Sequence, residues 1–180
     1  VATGKCPESF TAEQVELFEY CNSIKTQHSD NVKQVFVEKK LRLYDDSFNE
    51  LIDGTPDLVI NIDSENGIID DWKFGRNEVE DAIDNIQLAC YAVMAMQAYG
   101  LKNITCNVVQ PRIKKYSTYT FSNERALTKT IKDIITKCES DIEEYAPESE
   151  YESACQYCKA LSECPARKNY FVKNIEGAGT

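Results

Sequence analysis

Two short apolar runs, Leu58-Val59-Ile60 and Ile68-Ile69, flank the polar stretch Asp63-Ser64-Glu65-Asn66-Gly67, and each run has an aspartate at one end. β-Branched runs of this length on either side of an Asx/Gly turn read as two strands of a hairpin. Leu51 to Ile62, with a turn or bulge at Gly54, is the first expected strand, and Ile68 to Phe74 is its partner. Asp57 opens the first run, and Asp71-Trp72-Lys73 closes the second. A carboxylate in an apolar strand is costly unless something compensates its charge. Two acids facing one divalent cation resolve that cost, because ligation replaces the lost hydration. Asp71 and Lys73 are two residues apart, so an extended backbone points both to one side. Either acid could instead be a turn or edge residue, and an isolated Asp-x-Lys means little; the joint pattern is far more specific.

Around the hairpin the pattern alternates between helix and strand. Thr11-Ala12-Glu13-Gln14 is a capping-box signature and predicts a helix to about Lys25, with Val15, Leu17, Phe18 and Cys21 among its less polar positions. Val35 to Tyr44 alternates as one strand. Asp81 to Tyr99 reads as a long helix with Ile83, Ile86, Cys90, Val93 and Met94 on its apolar face, stopped by Gly100. Asn103 to Ile113 and Tyr116 to Phe121 read as strands, and Leu127 to Tyr145 as a last amphipathic helix. The expected fold class is α/β, with a central mixed sheet flanked by helices, in a single domain over residues 1–180.

Composition narrows the function classes. A net charge of −10 argues against a protein that coats nucleic acid through a basic surface. It leaves room for an enzyme whose acids are neutralised by a cation and whose basic contacts are local. Lys39, Lys40 and Arg42, then Arg112, Lys114 and Lys115, are the two short basic clusters; solvated strand faces explain each equally well. No apolar run approaches the roughly 20 residues of a membrane span, and no basic-then-apolar leader opens the chain. The expectation is a cytoplasmic protein with no membrane partner.

Eight cysteines without other secretory features point to thiol chemistry in a reducing compartment. Cys155-x2-Cys158-x5-Cys164 has the tight spacing of metal or cluster ligands. Cys90, Cys106 and Cys138 fall in apolar patterns and read as plain core residues. Gln87 and Tyr91, four apart on the long helix, share a face; there they either steady the lysine, hold a phosphate, or mark an ordinary amphipathic boundary.

Gly54-x-x-Asp57, then Asp71-x-Lys73, then Gln87-x-x-x-Tyr91, in this order and on these elements, resembles the PD-(D/E)XK nuclease superfamily, and more closely its RecB-like branch. Val79, Asn85, Leu88 and Ala92 add to the likeness with phage-encoded members, over roughly residues 34–168. The resemblance implies a restriction-endonuclease-like core over residues 34–145, with Asp57 and Asp71 binding Mg²⁺ or Mn²⁺. It implies that Lys73 orients the attacking water and that Gln87 and Tyr91 complete the last motif. The backbone carbonyl of Trp72 is a further candidate ligand. Glu38 matches an acidic position of the family and either reaches the metal or balances Lys40.

Cys155, Cys158, Cys164 and the following Pro165 are similar to the cysteine segments of iron–sulfur members, including CRISPR-adaptation exonucleases. That likeness implies a 4Fe–4S cluster on a segment, residues 151–168, packing with the N-terminus. Cys6 is the first choice for the fourth ligand and Cys21 the second; Zn²⁺ suits the same thiolates. A metal-binding histidine on the first helix, present in many relatives, has only His28 as a counterpart, with Glu13, Glu16 or Glu19 as stand-ins. The implied activity is a DNA exonuclease in end processing or recombination, with DNA as substrate and a recombination or helicase protein or a second copy as partner. Its setting would be a bacterial, archaeal or virus-infected cell. The competing expectation is a non-catalytic cluster-bearing module that binds DNA.

Overall fold

The computed structural model describes residues 6–25, 32–140, 159 and 162–164. The chain divides into two compact units, residues 1–131 and 132–180. Cys155, Cys158, His28 and most of the 151–168 segment lie outside the described residues.

Helix α1 spans Ala12–Lys25. Its capping box forms as the sequence predicts: the Thr11 amide donates to Gln14 Oε1 at 2.8 Å, and the Gln14 amide to Thr11 Oγ1 at 3.3 Å. Phe18, Cys21 and Ile24, on one stripe, are its buried residues.

Among the described residues seven strands follow in chain order: β1 Gln34–Val37, β2 Leu41–Tyr44, β3 Glu50–Gly54, β4 Leu58–Asn61, β5 Asn66–Trp72, β6 Asn103–Gln110 and β7 Lys115–Ser122. Five of them make one sheet in the order β1-β4-β5-β6-β7, and β2 and β3 form a separate ribbon. β5 and β6 are parallel and the other neighbours antiparallel, so the central sheet is mixed, as expected. Parallel strands need a crossover. Here that crossover contains helix α2, Ile86–Tyr99, and helix α3, Glu124–Glu139, follows the last strand.

The two long strands expected at Val35–Tyr44 and Leu51–Ile62 are each divided in two. Glu38 takes a left-handed φ of 47°, which ends β1 and lets the chain turn into the ribbon. The apolar spacing of Val35, Val37, Leu41 and Leu43 runs across the break although the first two are exposed and the last two buried, so periodicity alone does not reveal it. The expected start of the long helix is also corrected. Residues 81–85 form a turn, and Asn85 caps α2 by accepting from the Leu88 amide. Gly100, at φ 68°, ends the helix where the sequence places the stop.

α2 is buried on almost every side, at Leu88, Ala89, Tyr91, Ala92, Val93, Met94, Ala95 and Met96. A helix that is apolar all round needs cover on two faces. The central sheet supplies one, and the β2–β3 ribbon the other. Gln97 joins the helix to the ribbon by acting as a short strand edge. Its Oε1 accepts from the Tyr44 amide at 2.8 Å, and its Nε2 donates to the Tyr44 carbonyl at 3.0 Å.

β4 and β5 are the core of the sheet. Val59 pairs with Ile69, both fully buried, and faces the α2 side. Leu58, Ile60 and Ile68 cluster on the opposite face with Ile62 packed against them. Burying each such side chain is worth about 1.5–3 kcal/mol, which pins the register. That register fixes where the acids go.

Candidate active site

Leu58 pairs with Asp70 and Val59 with Ile69, so Asp57 stands opposite Asp71 at the carboxyl end of β5. Alternation then puts Asp57, Asp71 and Lys73 on the face covered by α2. The three residues that the sequence singles out are brought together.

Asp71 is 3% exposed. The Lys73 ammonium lies 2.8 Å from the buried Asp71 Oδ2 and forms an ion pair with it. Burial pushes the Asp71 carboxyl above its ordinary range; Lys73 pulls it back, and the Asp57 charge raises it further. Asp57 is half-buried, and its Oδ2 accepts from the Trp72 amide at 2.7 Å. That bond caps the end of β5 and holds the Asp57 carboxyl across the strand from Asp71. The Lys73 amide donates to the Val109 carbonyl at 2.8 Å, which extends the parallel ladder through the lysine backbone.

Gln87 and Tyr91 continue the chain. The Lys73 ammonium donates to Gln87 Oε1 at 2.9 Å, and Gln87 Nε2 donates to the Tyr91 hydroxyl at 2.9 Å. The i, i+4 pair thus steadies the lysine. Gly54 makes room for this arrangement: a Cβ there would lie 2.7 Å from Tyr91 Cε1 and 3.2 Å from Met94 Cε. Gly54→Ala is therefore expected to cost about 1–3 kcal/mol in urea unfolding and to displace Tyr91 from Gln87. Unchanged stability would mean that the ribbon yields without strain.

Two hard carboxylates, one of them buried, suit Mg²⁺ or Mn²⁺. Among the described residues no three His, Cys, Asp or Glu side chains converge. The remaining ligands of such a cation would be the Trp72 carbonyl and water, which Mg²⁺ retains readily. Glu38 is exposed, beside the site, and its amide donates to the Asp57 carbonyl at 3.0 Å. It does not balance Lys40, which pairs with Asp53 at 2.5 Å. Its left-handed backbone disfavours any side chain, so Glu38→Gly should stabilise the fold by about 1 kcal/mol in denaturant titration; a loss of stability would mean that the side chain makes a compensating contact.

Two of the three first-helix acids are engaged elsewhere, and Glu19 is exposed. Glu13 pairs with Arg112, and Glu16 with Lys114 at 2.7 Å. Cys21 is a core residue, 1% exposed, with its thiol pushed up to about 11 by burial, which makes it a poor cluster ligand. Cys6 is exposed. Cys106 is buried as expected, with its thiol 3.7 Å from the Leu88 carbonyl, and Cys90 is half-buried, but Cys138 is exposed. On α3 only Ile131 is fully buried, so the apolar stripe that includes Cys138 fades one turn before it.

Two features were not singled out from the sequence. Asp70, fully buried behind the site, accepts from Asn107 Nδ2 at 2.8 Å, and the Tyr116 hydroxyl donates to Asn107 Oδ1 at 2.9 Å. Gln110, also fully buried, accepts from the Val79 amide at 3.2 Å and donates to the Asn77 carbonyl at 2.9 Å. It pins the connection between β5 and α2. Polar residues inside the apolar Val108-Val109-Gln110 and Ile68-Ile69-Asp70 runs were the available signal.

A family model described as "Protein of unknown function (DUF2800)" matches residues 8–177. Among solved structures, one described as "Crystal structure of SSO0001" is similar with a TM-score of 0.45 and 12% identity, covering 83% of this chain and 67% of that one. No curated protein matches. Among the described residues, no helix is long and apolar enough to cross a membrane.

Proposed function

The chain belongs to the DUF2800 family, and we propose that it is a metal-dependent deoxyribonuclease with a restriction-endonuclease-like core, acting as an exonuclease on DNA ends. The observation that carries this reading is the buried Asp71 carboxylate, set across from Asp57 and paired with Lys73 at 2.8 Å. Asp57 and Asp71 would hold Mg²⁺ or Mn²⁺, with the Trp72 carbonyl and water as further oxygen donors. Bound there, the cation would lower the pKa of a coordinated water and neutralise phosphate charge. Lys73 orients that water and stabilises the anionic transition state. Gln87 and Tyr91 fix the position of the ammonium. The resemblance to PD-(D/E)XK nucleases adds the expected products, a 5′-phosphate and a 3′-hydroxyl.

Incubating end-labelled DNA with Mn²⁺, with and without EDTA, tests the reading. Cleavage that EDTA abolishes is expected; no cleavage of single-stranded, blunt or overhanging DNA would reject it in favour of a binding module. The same proposal includes a 4Fe–4S cluster on Cys155, Cys158 and Cys164 with a fourth thiolate. Anaerobically purified protein is expected to be brown with broad visible absorbance, bleached by dithionite. A colourless protein carrying zinc would replace the cluster with a filled-shell ion.

A further inference from the structure

Gln110 is fully buried after the apolar pair Val108-Val109, at the same end of the sheet as the candidate site. Trp72 pairs with Val109 in the parallel ladder, and the Lys73 amide donates to the Val109 carbonyl. Gln110 therefore lies one step on, beside Lys73. Alternation puts it on the face of Val108 and Cys106, and the Cys106 thiol meets the Leu88 carbonyl of α2. Gln110 and Lys73 share the α2 face.

A buried amide is costly unless both its halves find partners. Gln110 finds them on the connection between β5 and α2, residues 73–85. Its Oε1 accepts from the Val79 amide at 3.2 Å, and its Nε2 donates to the Asn77 carbonyl at 2.9 Å. Those two backbone groups flank Glu78, and a parallel strand would take up the same pair from its neighbour. The glutamine side chain stands in for one peptide of a strand that is not there. Farther along, the Ala82 amide donates to Ser117 Oγ at 2.9 Å.

The connection begins with Lys73 and runs into the first turn of α2, where Gln87 lies, and the two side chains meet at 2.9 Å. Pinning it near its middle divides it into two short segments, and a shorter segment allows its ends fewer relative positions. A displacement of about 1 Å, caused far from the reacting atoms, can lower turnover about 100-fold. We propose that Gln110 is a positioning residue: its grip on Asn77 and Val79 holds the Lys73 ammonium against Gln87 and Asp71. The inference rests on the nuclease reading for its effect on turnover, and the test separates the two.

Two variants remove the grip. Gln110→Met keeps the volume but has no amide, and Gln110→Asn is one methylene too short to reach both backbone groups. Lys73 is 29% exposed, open enough to acetylate. Each full-length protein would be trace-labelled with acetic anhydride, and Lys73 compared by mass spectrometry with Lys102, which pairs with Glu65. Cleavage of end-labelled DNA with Mn²⁺ gives kcat and KM, while circular dichroism and Mn²⁺ uptake report on the fold and the cation site. The expected result is Lys73 labelled several-fold faster than in the parent. With it, kcat should fall by roughly 10- to 100-fold, with KM and Mn²⁺ uptake little changed. Parental Lys73 labelling in both folded variants, or parental kcat, would overturn the proposal. So would loss of the fold or of Mn²⁺ uptake in both, which would make Gln110 a structural residue only. If the parent cleaves no DNA while Lys73 labels faster in the variants, the nuclease reading fails and the hold on Lys73 stands.

Discussion

Replacing Lys73 with alanine is expected to lower Mn²⁺-dependent DNA cleavage by roughly 10²–10³-fold while leaving the fold and the affinity for the cation nearly intact. The lysine side chain is 29% exposed, so the space that its removal leaves is open to water. Its ammonium reaches both Asp71 and Gln87, and on the proposed reading that charge would face the negative charge developing on a phosphoryl group. A loss in kcat with KM little changed is the signature of a group that acts in the transition state. Gln87→Ala should give a smaller loss, because Gln87 acts on the reaction only through the position of Lys73. Equal losses in the two variants would assign Gln87 a direct role. Full activity in Lys73→Ala would remove the lysine from the mechanism.

Asp71→Asn is expected to abolish cation binding and, at pH 7 without divalent cation, to make the protein more stable. The sign follows from burial. Asp71 has a folded-state pKa raised above 3.8 by desolvation, a shift that Lys73 opposes and Asp57 reinforces. A raised carboxyl contributes stability that is fully present below its unfolded pKa and lost as pH rises through the folded value. At neutral pH the ionised group therefore weighs against folding, and the asparagine variant should melt higher there, with the difference shrinking in acid. Divalent cation should reverse the order, because it stabilises only the form that binds it, by about 2.7 kcal/mol at a hundred times its dissociation constant. A variant less stable than the parent at pH 7, with the same response to Mn²⁺, would show that Asp71 is a structural ion-pair partner of Lys73.

The site was more legible in the sequence than the architecture around it. Asp71 and Lys73 could be placed on one side because strand alternation fixes their direction, whereas Asp57 joined them only through the joint pattern of the hairpin. Helical spacing put Gln87 and Tyr91 on one face but left their role open, and only the family resemblance tied them to the site. The ribbon of β2 and β3 was hidden, since the break at Glu38 carries neither glycine nor proline and depends on a left-handed residue that its neighbours impose. The start of α2 was read too early because Ile83 and Ile86 keep the apolar spacing of the helix, yet both are exposed. The basic clusters could not be weighed from sequence, because their acidic partners, Glu13, Glu16, Glu50 and Asp53, are brought beside them by the fold. Gln110 was missed for a related reason: its partners lie in a connection whose path no local pattern describes.

Titrating Mn²⁺ into the protein while following the free ion by electron paramagnetic resonance tests the shared-cation centre most directly. The parent should take up Mn²⁺ at a site that Mg²⁺ competes for, and that site should vanish in both Asp57→Asn and Asp71→Asn while surviving in Lys73→Ala. Mn²⁺ uptake that persists unchanged in both aspartate variants would contradict the account.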